Sequence, residues 1–124
     1  MWSKPIVVLC NENTGSNGEI FSHAIKTLKR GKLVGRETGG GVIGTYDAPL
    51  LDVGCFRDAR YGWFILDGTD MEHHGAKPDF EVDDLPADVV KGIDRQLDKA
   101  IEVLGGEVEA WRVANPPIQL KFAR

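Results

Sequence analysis

The stretch "PIVVLCNENTGSNGEIF", Pro5 to Phe21, decides how the chain is read. Its first half is a continuous apolar run with three β-branched residues, as expected of a strand buried on both faces of a parallel sheet. The polar, glycine-containing "NENTGSNG" ends that run, and a helix is expected directly after it. From Asn17 to Lys29 the apolar positions Ile20, Phe21, Ala24, Ile25 and Leu28 recur at helical spacing, with Lys and Arg in the last turn and Gly31 as the stop. "KLVGRE" then reads as a second strand, so the first forty residues predict one strand-helix-strand unit with a right-handed crossover.

Downstream, "TGGGVIGTYDAPLLDVGCFRDARYGWFILDG" predicts short strands and loops, with β-prone pieces at Thr45 to Tyr46, Leu50 to Val53 and Trp63 to Leu66. Asp83 to Leu104 predicts one helix, with Val89, Val90, Ile93, Leu97, Ala100, Ile101 and Leu104 on a stripe and Gly105-Gly106 ending it. The division expected is a folded subdomain over residues 1–106 and an extended tail over 107–124.

Bulk properties narrow the function. The 124 residues carry 15 Lys and Arg against 19 Asp and Glu, a net charge of −4. A length of this order is one domain. Mild acidity without a clustered basic face speaks against nucleic acid and against an anionic membrane surface. No apolar run reaches the ~20 residues needed to span a bilayer. The two cysteines, Cys10 and Cys55, are too few for a disulfide framework, and a cytoplasmic location with reduced thiols is the reading they support.

Three motifs invite chemistry. "GGGVIG", Gly39 to Gly44, formally matches a dinucleotide fingerprint, but "TYDAPLL" cannot open the helix that the pyrophosphate needs, and no Lys-Ser or Lys-Thr makes it a P-loop. In "EHHG", the adjacent His73 and His74 would point to opposite sides of an extended segment, so a metal site is not expected and both histidines are assigned to structure or solvent. His23 lies about 10 Å along the helix axis from Ser16, too far to serve it as a base.

Ser16 has two readings. With Glu19 it forms Ser-Asn-Gly-Glu, a capping box in which hydroxyl and carboxylate each satisfy a free backbone N–H. Flanked by Gly15 and Gly18 at a strand-to-helix turn, it also stands where hydrolases place a nucleophile, beside amides and a helix dipole able to hold an oxyanion.

The stretch from Val7 to Gly44 resembles the catalytic domain of the tricorn and carboxyl-terminal processing protease family. "GWFILDGTDMEHHGAKPDFEV" strengthens the resemblance, since Glu72, Gly75 and Pro78-Asp79 fall into the tricorn-like pattern; "DRQLDKAIEVL" is similar to the helix that closes such domains. What the resemblance implies is an α/β fold of the crotonase-like and Clp-protease-like β/α spiral type, its C-terminal portion. It also implies peptide hydrolysis through an acyl-enzyme on Ser16, with the Asn17 amide as an oxyanion donor, Glu72 as the network carboxylate, and no cofactor or metal. The processing branch uses a Ser-Lys dyad, but Gly41 occupies the lysine's position and glycine can accept no proton. The tricorn-like branch draws its histidine base and second oxyanion donor from sequence before the Ile6–Cys10 strand; His74 sits near Glu72 where the family often has an aromatic residue or histidine.

The chain is therefore expected to be the C-terminal part of a longer protease, nearly inert alone. Loss of one triad member costs on the order of a millionfold, roughly 8 kcal/mol of barrier. Expected partners are a peptide substrate and either the upstream part of the protease domain or a second copy. The rival readings are a non-catalytic binding or assembly module of the same fold, in which Ser16 only caps the helix, and a crotonase-like acyl-CoA enzyme, for which no basic cluster is provided.

Overall fold

The computed structural model describes residues 2–117. A three-stranded parallel sheet runs in the order β1-β2-β5, with β1 at Val7–Cys10, β2 at Lys32–Gly35 and β5 at Phe80–Glu81. Helix α1, Asn17–Thr27, links β1 to β2 and packs on β2. Its buried Ile25 meets Cys10, Leu33 and Ala76, with Ile6 and Val8 against them, and this small cluster is the core between α1 and the sheet. The β-branched and aliphatic run of β1 is what lets the sheet continue under α1. Burial there pushes the Cys10 thiol above its ordinary pKa.

Asp79 locks the third strand on. Its amide donates to the Leu33 carbonyl at 2.8 Å, and its carboxylate accepts from the Leu33 amide at 2.8 Å. The Pro78-Asp79 motif thus closes the sheet edge before β5 begins.

The middle of the chain is a hairpin, where the sequence predicts shorter pieces. β3, Gly44–Leu50, and β4, Gly54–Tyr61, pair antiparallel with each other, and Leu51 to Val53 form the turn rather than a strand. Leu51 takes a left-handed φ of 44° there. Trp63 to Leu66 contribute one isolated bridge, Phe64 to Asp70, in place of a strand. Because Gly44 opens a strand and not a helix, the glycine run offers no helix N-terminus to a dinucleotide.

The long C-terminal helix also departs from expectation. Asp83 to Leu104 divides into a short α2, Pro86–Val89, and α3, Arg95–Ala114, with Gly92 at φ 72° between them. Asp94 caps α3 through its carboxylate, which accepts from the Leu97 amide at 2.8 Å. The helix passes through Gly105-Gly106 without interruption, so the extended tail expected from Glu107 is helical as far as Ala114; residues 118–124 of that tail lie outside the described residues. Packing of α3 on β1 and β2 overrides the weak propensity of the two glycines. The observed architecture is mixed α/β, and no helix among the described residues is long and apolar enough to cross a membrane.

Candidate active site

Ser16 is the last residue before α1 and stands at φ 53°, ψ −122°. That is an unfavourable conformation for a residue with a Cβ, of the kind that costs on the order of 1–3 kcal/mol and persists only where surrounding bonds enforce it. The enforcing bonds are visible. The Ser16 amide donates to the Gly41 carbonyl at 2.8 Å, and the Ser16 carbonyl accepts from Glu19 and Ile20 amides at 2.9 and 3.2 Å.

The capping box does not form. The Ser16 side chain makes no capping bond, because a capping hydroxyl needs β-region backbone and Ser16 is on the opposite side of the map. Glu19 turns away from the helix start. Fully buried, it accepts from the Thr38 hydroxyl at 2.7 Å and from the Gly41 amide at 2.7 Å. Ser16 is exposed at the surface, and its hydroxyl has no hydrogen-bond partner among the described residues. The amide of Asn17 likewise takes no backbone acceptor among them.

The glycine-rich loop from Thr38 to Ile43 lies between the Ser16 turn and the segment that carries Glu72. On one side the Gly39 amide donates to the Thr14 carbonyl at 2.9 Å, and Gly41 bonds Ser16. On the other, Glu72 Oε2 accepts from the Val42 and Ile43 amides, both at 2.8 Å. Those two bonds, Val42 first, hold the Glu72 carboxyl below its ordinary pKa. The His73 amide donates to the Gly40 carbonyl at 2.7 Å, and Gly40, at φ 76° with a Cβ position only 3.2 Å from the His73 backbone, is a site that favours glycine. Ser16 and Glu72 share no hydrogen bond; they hold consecutive residues of one loop.

None of the three histidines hydrogen-bonds Ser16. His23 Nε2 pairs with the His74 carbonyl at 3.2 Å, and His74 Nδ1 with the Glu72 carbonyl at 3.0 Å. His73 and His74 are exposed. Among the described residues no group of three or more His, Cys, Asp or Glu side chains is arranged to hold a metal.

A groove of about 300 Å³ runs from the start of α1 along its exposed side. Ile20, Ala24 and Leu28 form one wall, and Trp63, Phe64 and Met71 the other. Of its lining, Ile20 is one helical turn along from Ser16 and Met71 immediately precedes Glu72.

Residues 1–82 match the sequence profile of peptidase family S41. The chain belongs to that family. Among curated relatives it is 38% identical over 113 residues to the tricorn protease of Thermoplasma acidophilum, an alignment covering 90% of this chain and 11% of that one. It is 39% identical over 115 residues to tricorn protease homolog 1 of Streptomyces coelicolor, covering 91% and 11%. The crystal structure of the tricorn protease superposes with a TM-score of 0.78 at 36% identity, covering 85% of this chain and 10% of that one. The chain thus spans about a tenth of the length of these tricorn relatives.

Sequence reasoning singled out Ser16, Asn17 and Glu72 but missed Glu19 and Thr38 as parts of the site. Only the spacing of Glu19 from Ser16 hinted at it, and that spacing is shared with ordinary helix caps.

Proposed function

We propose that this chain is the nucleophile-bearing part of a tricorn-like serine peptidase and that Ser16 forms the acyl-enzyme. The observation that carries the reading is the strained backbone of Ser16, with its hydroxyl exposed and uncommitted. A helix cap has no use for such strain, whereas a nucleophile presented on a sharp strand-to-helix turn does. Ser16 Oγ attacks the scissile carbonyl, and the Asn17 amide with the α1 dipole stabilises the oxyanion. The reading needs no metal or cofactor.

The proton passes to a histidine supplied by polypeptide outside residues 2–117, because none of His23, His73 and His74 hydrogen-bonds Ser16, and His23 and His74 bond backbone carbonyls instead. Glu72 belongs to that network through the loop it holds and through Oε1, which takes no partner among the described residues. The groove beside Ile20 accepts an apolar side chain of the substrate peptide. The same reading assigns the domain to the crotonase-like β/α spiral type and to the cytoplasm. It also assigns the hairpin's apolar face, with Ala48, Leu50 and Phe56 on one side, to burial against the remainder of the protease domain; a hairpin paired only with itself is marginal in water.

The test is hydrolysis of peptides by the full protease. Ser16→Ala is expected to lower kcat on the order of a millionfold, and peptides with Leu or Phe before the scissile bond are expected to outperform those with Asp. Unchanged turnover in Ser16→Ala would remove the proposal.

A further inference from the structure

A fully buried carboxylate without an ion-pair partner is expensive to keep, and Glu19 has none among the described residues. Its position in the first turn of α1 lets the helix dipole offset part of that cost. The rest is offset by two short hydrogen bonds, from the Thr38 hydroxyl and the Gly41 amide, each at 2.7 Å. Neither bond is local: the partners lie 19 and 22 residues along the chain. Thr38 is itself held, since its hydroxyl accepts from the Ala76 amide at 2.7 Å.

The consequence falls on Ser16. Gly41 is bonded on both its polar groups: its amide to Glu19, its carbonyl to the Ser16 amide. Fixing the first fixes the second, and the Ser16 amide is what keeps the turn at φ 53°. One residue further on, Val42 and Ile43 are bonded to Glu72. The loop is therefore clamped by one carboxylate from the nucleophile's own helix and by another from the segment opposite.

We propose that Glu19 is a positioning residue that, through Gly41 and Thr38, holds Ser16 in its reactive backbone conformation and in register with the Glu72 loop. The proposal rests on the reading of Ser16 as the nucleophile. Glu19 touches no reacting atom; it acts through the glycine between the two carboxylates. A glutamine at this position has the same shape, but its NH₂ must face either a Gly41 amide that can only donate or the Thr38 hydroxyl, which then loses its acceptor.

The test is the rate of covalent labelling of the full protease by a fluorophosphonate, with saturating rate, half-saturating concentration and final labelled fraction measured separately. Glu19→Gln is expected to label to the full fraction, with half-saturation unchanged and a saturating rate about 100-fold lower, the size expected for misplacing a nucleophile by about 1 Å. A merely structural role would lower the labelled fraction and leave the rate of the surviving molecules alone. Where Glu19→Gln does not accumulate as folded protein, Thr38→Val decides, since it removes one of the two bonds to the carboxylate: a slower rate at full labelled fraction supports the proposal and a wild-type rate overturns it. Ser16→Ala separates the two claims. An adduct that persists there overturns the nucleophile reading, whereas its loss there together with a wild-type rate in Glu19→Gln overturns only the role of Glu19.

Discussion

The amide of Ser16 and the carbonyl of Gly41 are joined at 2.8 Å, and this bond ties the strand-to-helix turn to the glycine-rich loop that follows β2. In the processing branch the resemblance puts a lysine at the position of Gly41. Here the position works through its backbone: the amide answers to Glu19 and the carbonyl to Ser16. Gly41 faces open space, where a Cβ would meet nothing within 4 Å.

The Glu72 clamp is expected to titrate. Its carboxyl is held below the ordinary glutamate value because the ionised form accepts from Val42 and Ile43. A depressed folded-state pKa contributes stability that is complete above the unfolded value, about 4.3, and is lost as pH falls through the folded value beneath it. Hydrogen-exchange protection of the Val42 and Ile43 amides, corrected for intrinsic rates, should be flat near neutrality and fall at more acid pH. In Glu72→Gln it should be lower at neutrality and no longer titrate. Equal protection in the two proteins would contradict the role assigned to these bonds.

Gly75 should tolerate no side chain. A Cβ there would lie 2.1 Å from the Thr38 carbonyl oxygen and 2.9 Å from its carbon, which are backbone atoms at the centre of the clamp. Gly75→Ala is expected to destabilise the protein by roughly 3 kcal/mol, read as a lower denaturation midpoint. A midpoint within error of the parent would mean that this crossing is looser than described.

Gly105 and Gly106 offer the opposite case. Both lie inside α3, and a Cβ on either would meet nothing within 4 Å. Replacing each by Ala should stabilise by about 0.5–1 kcal/mol, since alanine loses less backbone entropy in a helix interior. Thermal denaturation of the single and double variants checks this. Destabilisation would show that the helix breaks at the pair after all.

The contrast between these sites explains how far the sequence could be read. The β1-α1-β2 unit was legible because its signals are local: an apolar run, a helical period from Ile20 to Leu28, then a second run. Gly105-Gly106 misled because glycine is a stop signal only where no packing surface carries the helix past it, and the β1-β2 sheet does so here. Leu50 to Val53 misled in the same way, since three apolar residues around Asp52 resemble a strand until their turn geometry is known. At the site, Ser16-Asn-Gly-Glu19 looked like a reciprocal cap because only the spacing is visible in sequence. The true partners of Glu19 are Thr38 and Gly41, placed beside it by the return of the chain through β2. The same holds for Glu72, whose bonds to Val42 and Ile43 no periodicity announces.

The measurement that bears most directly on the account is peptide mapping of the full protease after reaction with a fluorophosphonate, beside its Ser16→Ala variant. The expected result is one phosphonylated peptide, spanning the turn between β1 and α1 with the adduct on Ser16, and none in the variant. An adduct on another residue, or the same adduct yield in Ser16→Ala, would contradict the claim that the strained serine at the head of α1 is the nucleophile.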